Sequence, residues 1–339
     1  MTSIRRDVVV AGASAGGVEA LSRLVAGFPV DLPAAVLVVL HLPSGGTSAL
    51  AKILDRAGPL PAVSARHGVP LERGKIYTAP PDHHLLLADD QLVLSHGPTE
   101  NGHRPAIDAL FRSSAISAGP RTMGVLLSGV LDDGVAGLRA ISARGGRTLV
   151  QDPDDAAFAG MPRNAIRNVA VDHIATTSEL GMIIDKLTRE TVDPTWPSAP
   201  AKVIELENHI ARYGGAVRAP GEFDVEELGA VSEFSCPDCR GTLIETEPGK
   251  GHFRCRVGHA WSARALLDAQ GYALEQALWT ALRVLDEKVS LAKRMGEQAA
   301  GRGAELVSNR YRRIAEEAAN ASAILRQHLD EMPPRPNDE

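Results

Sequence analysis

Ser14 lies inside Gly12-Ala-Ser-Ala-Gly-Gly17, directly after the apolar run Val8-Val-Val-Ala11 and directly before a helical pattern. Strand, glycine turn, helix is the order that lifts a serine hydroxyl to the mouth of a sheet, beside the N–H groups of a helix start. A serine so placed can act as a nucleophile, and adjacent amides can hold an oxyanion. The same turn also fits a phosphate-binding helix N-terminus, a dinucleotide turn with serine at its middle glycine. A nucleophilic serine needs a base within hydrogen-bond reach, and the base needs an orienting carboxylate. His41 ends the apolar run 34–40, a place that equally suits a strand-end histidine without a catalytic part. Asp132-Asp133-Gly134 follows the run 124–131, a junction that also suits a magnesium site or a plain turn. Together these positions put three triad residue types at three strand ends. The order Ser…His…Asp differs from that of the α/β-hydrolases. The second strand carries no acidic residue at its end to hold a ribose, which favours the hydrolytic reading over the nucleotide one.

A second cluster lies far downstream. Cys236-Pro-Asp-Cys239 is a CxxC knuckle, and Cys255-Arg-Val-Gly-His259 sets a cysteine and a histidine four apart, with fifteen residues between the pairs. Two close pairs of soft or borderline ligands match a closed tetrahedral Zn²⁺ site. The spacing predicts a zinc-ribbon-like module, with a hairpin of 242–245 and 252–254. His252 is the alternative ligand, and reduced cysteines without a metal are the plainer reading. Four protein ligands leave no open position, so this zinc would be structural and catalysis would need no cofactor. Asp82, His83 and His84 form a further metal-like group, but the Pro80-Pro81 turn beside them favours a loop near the site.

The elements that must position these groups read clearly. Strands are predicted at 8–11, 35–40, 75–78, 91–94, 124–127, 148–151 and 169–171. Helices lie between several of them: one over 17–26, with Val18, Leu21, Leu24 and Val25 on one face, one after Asp108 and one after Gly134. Apolar strands separated by helices imply an α/β fold, doubly wound around a mostly parallel, Rossmann-like sheet. The expected division is a catalytic domain over 1–190, a linker over 191–233, the Cys/His module over 234–262, a helical hairpin over 263–332 and a disordered tail over 333–339. The linker carries three prolines between Thr191 and Pro200 and a short helix near 203–212. The hairpin has an apolar seam, Leu274, Leu278, Leu282, Leu285, Val289, Ala292 and Met295, then Val307, Ile314, Ala318, Ala321 and Leu325. Self-association or partner docking is the use open to it.

Composition narrows the partners. The chain has 339 residues, a net charge of -6 and no basic stripe, which argues against nucleic acid. No apolar run approaches the roughly 20 residues of a membrane span, and no signal-peptide core precedes the first strand. Three cysteines clustered within 236–255 argue against a disulfide framework. A cytoplasmic protein is expected.

Several motifs, in order, resemble one family. They are Gly12-Ala-Ser-Ala-Gly-Gly17, Val38-Val-Leu-His41-Leu-Pro43, Tyr77-Thr-Ala-Pro-Pro-Asp-His-His84, His103-Arg-Pro-Ala-Ile-Asp108, Leu127-Ser-Gly-Val-Leu-Asp-Asp-Gly134, Gln151-Asp-Pro and Phe158-Ala-Gly-Met-Pro162. Over residues 6 to about 190 the chain resembles the catalytic domain of the chemotaxis protein-glutamate methylesterases of the CheB type. The resemblance implies Ser14 as nucleophile, His41 as general base and acid, and Asp133, rather than Asp132, as the orienting carboxylate. It implies an oxyanion site near the Ala15 and Val130 amides. The substrate implied is a chemoreceptor's methylated glutamyl side chain, with glutamine deamidation as a second activity. The family usually has threonine at position 15, and Met-Gly where this chain has Val130-Leu131. It commonly carries an N-terminal receiver domain, for which no room is expected before the first strand. The same chemistry in a non-chemotactic pathway, or a weakly catalytic nucleotide- or protein-binding module, are the competing readings.

Overall fold

Strands covered on both faces need no polar side, and the unbroken apolar runs accordingly form the middle of a sheet. The structure is a computed structural model and describes residues 4–41, 48–192, 199–213, 229–246, 249 and 251–332. In chain order it begins with β1 (Ile4–Arg5), β2 (Val8–Ala13), α1 (Gly17–Ala26), β3 (Ala35–Leu40), α2 (Leu50–Ala57), β4 (Ala62–Ser64) and β5 (Ile76–Thr78). β6 (His84–Ala88), β7 (Gln91–Ser95), α3 (Ile107–Ala118), β8 (Thr122–Leu126), α4 (Val135–Ala143) and β9 (Arg147–Gln151) follow. Next come α5 (Gly160–Asn168), β10 (His173–Ala175), α6 (Thr177–Arg189), β11 (Thr191–Val192) and α7 (Lys202–Tyr213). The last elements are β12 (Ala230–Ser235), β13 (Thr242–Glu245), β14 (His252–Cys255), β15 (Ala260–Ser262), α8 (Ala263–Gly301) and α9 (Glu305–Glu331).

Seven strands pair in the order β10-β9-β8-β2-β3-β5-β4, every pair parallel. One face packs on α3, α4 and α5 through Ile107, Phe111, Leu138, Ile141 and Met161. The other packs on α1, α2 and α6 through Leu21, Leu24, Leu54, Leu180 and Ile184. This is the doubly wound sheet expected. Its register pairs Ala13 with Leu40 and Gly12 with Leu126. The carboxyl ends of β2, β3 and β8 therefore lie level, and the residues that follow them emerge at one rim.

Two local expectations are corrected. The strand expected at 169–171 is the irregular segment that follows α5, where Val169 packs into the core; the strand itself is β10, paired through His173 and Leu149. The strand at 91–94 exists, but pairs antiparallel with β6 outside the main sheet. Within 191–233, β11 pairs with β1, and the short helix expected near 203–212 is α7, which packs Leu206, Ile210 and Ala211 against neighbouring elements. Residues 193–198 and 214–228 of that range, and the expected tail 333–339, lie outside the described residues.

The chain falls into two compact units, 1–266 and 267–339. The first includes the antiparallel sheet β12-β13-β14-β15 that carries the Cys/His residues. The second is a pair of helices turning at Gly303, φ 74°. Its seam is narrower than expected: Leu282, Ala292, Ala315 and Ala318 are buried, whereas Leu274, Met295 and Val307 are exposed. Among the described residues, no helix is long and apolar enough to cross a membrane.

Candidate active site

A sharp turn must follow β2 if Ser14 is to clear the sheet. Gly16 makes it in the left-handed region, φ 69°, and Gly17 N–H closes it on Ser14 O at 2.9 Å. Gly12 answers a different need, since a Cβ there would fall 2.3 Å from Ile107 Cγ2 on α3. Ser14 N–H donates to Ser128 O at 2.9 Å, tying the serine to the loop after β8. His41 N–H donates to Ala13 O at 3.1 Å, which seats the histidine beside it. Asp133 closes the loop after β8, and Gly134 then starts α4.

The three side chains form one hydrogen-bonded chain. His41 Nδ1 lies 3.1 Å from Ser14 Oγ, and His41 Nε2 lies 2.7 Å from Asp133 Oδ2. Asp133 is buried and gathers further donors: Ile107 N–H at 2.7 Å, Asp108 N–H at 3.2 Å and Asn101 Nδ2 at 3.3 Å. The first two are the opening amides of α3, the end of a helix that favours an anion. Burial alone would raise the Asp133 carboxyl, but the His41 hydrogen bond and charge, His103 and the Ile107 amide hold it below the ordinary carboxylate range. An ionised Asp133 can only accept, so Nε2 carries the imidazole proton and Nδ1 is free to take the serine's. The arrangement can generate a serine nucleophile.

Neighbours shape this chain in ways the sequence did not reveal. His103 stacks on His41, ring centroids 3.7 Å apart, and burial followed by the His41 charge pushes it down to about 3. It covers one face of the base while staying neutral. Asp108, buried beside Asp133, is raised well above the ordinary range by burial and by the Asp133 charge. In the sequence His103 and Asp108 stand out only as the ends of one motif, and Asn101 gives no signal. Asp132 turns elsewhere, its Oδ1 accepting Ser262 Oγ–H at 2.6 Å. The amides of Ala15 and Val130 have no hydrogen-bond acceptor among the described residues. Leu131 sits at φ 60°, a region that favours glycine, at the position where the resembled family has one.

The second cluster also assembles. One ligand atom from each of Cys236, Cys239, Cys255 and His259 lies within 4.8 Å of the other three. Cys239 Sγ and Cys255 Sγ are 3.6 Å apart, and His259 Nδ1 is 3.6 Å from Cys236 Sγ and 3.5 Å from Cys255 Sγ. A metal–sulfur distance of about 2.3 Å in a tetrahedron gives edges of roughly 3.8 Å, so this donor set can hold a metal ion. His252 is not among the four; its Nε2 lies 3.0 Å from Arg139 Nη2. His83 and His84 bond to backbone, His83 to Pro81 O at 3.0 Å and His84 to Pro98 O at 2.9 Å, while Asp82 pairs with Arg104 at 2.5 Å.

Residues 9–184, more than half of the chain, match the family model described as CheB methylesterase. The chain belongs to the CheB methylesterase family. It is 42% identical over 185 residues to protein-glutamate methylesterase/protein-glutamine glutaminase 2 of Anaeromyxobacter dehalogenans, covering 55% of this chain and 54% of that protein. It is 36% identical over 196 residues to the protein of the same name from Methanosarcina mazei, covering 56% and 53%. The crystal structure of the Thermotoga maritima CheB methylesterase catalytic domain superposes with a TM-score of 0.52 at 28% identity, covering 54% of this chain and all of that one. The chain thus spans about half the length of the curated relatives it matches, and the CheB likeness ends before the Cys/His module.

Proposed function

We propose that this protein is a serine hydrolase that removes methyl groups from glutamyl side chains of chemoreceptors. The observation that carries the reading is the unbroken hydrogen-bonded chain from Ser14 through His41 to Asp133, set at the level carboxyl ends of three parallel strands. Membership of the CheB family and the names of its relatives support the substrate class.

In this reading Ser14 Oγ attacks the ester carbonyl as His41 Nδ1 takes its proton. Asp133 holds the imidazole and balances the imidazolium that forms. The negative charge on the tetrahedral carbon's oxygen rests against the amides of Ala15 and Val130, since backbone N–H donors survive the loss of a threonine hydroxyl. His41 returns the proton to the leaving methoxide, methanol departs, and water attacks the acyl-enzyme by the reverse route. Glutamine deamidation follows the same path with ammonia as the leaving group. Catalysis here needs no cofactor; the Cys/His cluster holds a structural zinc. The receptor region is the protein partner, and the cytoplasm is where the two meet.

The test is methanol release from methylated receptor fragments. Ser14→Ala should lower kcat by about 10⁵-fold or more while the protein remains folded. Near-normal release by that variant would remove Ser14 from the chemistry. Release from other methylated proteins but not from receptor fragments would move the enzyme to a non-chemotactic pathway.

A further inference from the structure

The Cys/His module and the triad meet through one asparagine. β15 follows directly after His259 and runs against residues 99–101, with Ala260 N–H donating to Thr99 O at 3.1 Å and Asn101 N–H to Ala260 O at 2.8 Å. The Asn101 side chain then faces both ways. Its Oδ1 accepts Ser262 N–H at 2.8 Å, and its Nδ2 donates to Asp133 Oδ1 at 3.3 Å. A second link from the same strand, Ser262 Oγ to Asp132 Oδ1, holds the residue next to Asp133. Behind these bonds lies a buried ion cluster. Arg254 of β14 reaches Glu100 at 3.4 Å and Glu207 of α7 at 3.3 Å, and Arg112 of α3 pairs with Glu100 at 2.5 Å. Two guanidiniums and two carboxylates compensate each other there, which is what lets the module seat against the triad-bearing part without an unpaired buried charge.

We propose that Asn101 is a positioning residue through which the metal-holding module sets Asp133, so that an ion at Cys236, Cys239, Cys255 and His259 tunes the triad. This rests on reading Ser14, His41 and Asp133 as an acyl-transfer triad. The reasoning follows the chain. Residues 255–259 are looped, with Cys255 N–H donating to His259 O at 3.0 Å and Gly258 N–H to Cys255 O at 2.9 Å. Ligation at both ends of that loop fixes the residue from which β15 starts. When the four ligand side chains are released, Ser262 N–H loses its fixed place, and the Asn101 amide loses the partner that aims it. Asp133 keeps the Ile107 and Asp108 amides, so the effect is graded rather than complete.

The experiment measures the rate of Ser14 labelling by a fluorophosphonate in the full chain, with metal content determined. Wild type and Asn101→Asp are compared before chelation, after it, and after zinc is returned. Aspartate preserves the acceptor for Ser262 N–H, tolerates the local φ of 52°, and replaces the amide donor with a carboxylate oxygen opposite Asp133. Asn101→Asp should label about tenfold more slowly while still holding its metal. Chelation should slow wild type by a similar factor, zinc should restore it, and chelation should add little in Asn101→Asp, because both act on one link. The downfield proton resonance of the His41–Asp133 hydrogen bond should broaden in the same two states. Additive losses, a chelated wild type that labels at the loaded rate, or a chain that neither holds nor takes up metal would each overturn the proposal. Absence of Ser14 labelling in loaded wild type would instead sink the hydrolase reading, and this inference with it.

Discussion

Asp133 and Asp108 are two buried carboxyls at the start of one helix, and their surroundings shift them in opposite directions. Asp133 collects His41, two helix-opening amides and the Asn101 amide. Among the described residues, Asp108 accepts only the Gly137 N–H, at 2.6 Å, and it faces the Asp133 charge with Glu100 beyond it and Arg112 opposing. The consequences for stability differ in sign. The folded chain holds Asp133 below its unfolded value, so its contribution is present above the ordinary carboxylate range, about pH 4, and is lost as pH falls beneath it. The folded chain holds Asp108 above its unfolded value, through burial and the Asp133 charge, so its contribution is present below the ordinary carboxylate range and declines as pH rises. Asp108→Asn preserves the acceptor for Gly137 and removes the titration. Between about pH 5 and about pH 8 its urea midpoint should fall less than that of wild type. Parallel curves for the two proteins would place the neutral-pH loss elsewhere. Neither shift was legible in the sequence, because both depend on which amides fold around a carboxyl. The positions of Ser14, His41 and the Asp132-Asp133 pair were legible, because strand ends are marked by where apolar runs stop, and the structure brings Ser14, His41 and Asp133 into hydrogen-bonding reach.

At the level of elements, what the sequence revealed was whatever a local pattern encodes. β2 and β3 are apolar throughout, β8 and β9 have apolar centres, and all four fall within two residues of the expected bounds. β10 was misplaced because an edge strand of three residues carries little pattern: His173, Ile174 and Ala175 are all partly exposed. Of the β6–β7 hairpin the sequence marked only the strand at 91–94, and a local pattern does not say which strand pairs with which. The contact between β2 and α3 was equally hidden, since Gly12 and Ile107 stand far apart in the chain. Gly12→Ala tests that contact. The new methyl meets three atoms of a fully buried Ile107 within 2.9 Å, and overpacking of this kind costs about 1–3 kcal/mol. Because Ile107 N–H is a donor to Asp133, the same change should slow Ser14 labelling. Adding Ile107→Ala should return part of both losses, a coupling visible as a non-additive double-mutant cycle. Simple additivity would mean that the methyl is accommodated by some other movement.

Across the whole molecule, the groups that touch the triad come from a long stretch of sequence but from one compact unit. Ser14, His41, Asn101, His103, Ile107, Asp108 and Asp133 all lie within residues 1–266, as do β15 and the four clustered Cys/His ligands. The other unit holds itself together by different means. Small buried residues let α8 and α9 approach, and Asp286 binds both Ser322, at 2.7 Å, and Arg326 across the pair. That unit's exposed Trp279, Leu291 and Ile324 suit contact with another surface. Deleting residues 275–339 separates these roles, leaving the Ser262 side chain that caps the first turn of α8 through Ala265 N–H. The shortened chain should keep its metal and label Ser14 within about twofold of wild type, because every hydrogen bond to Asp133 and His41 is retained. Methanol release from receptor fragments reads the other role: a raised KM with unchanged kcat would assign the helices to substrate docking. A tenfold fall in labelling would show instead that the helices support the site itself.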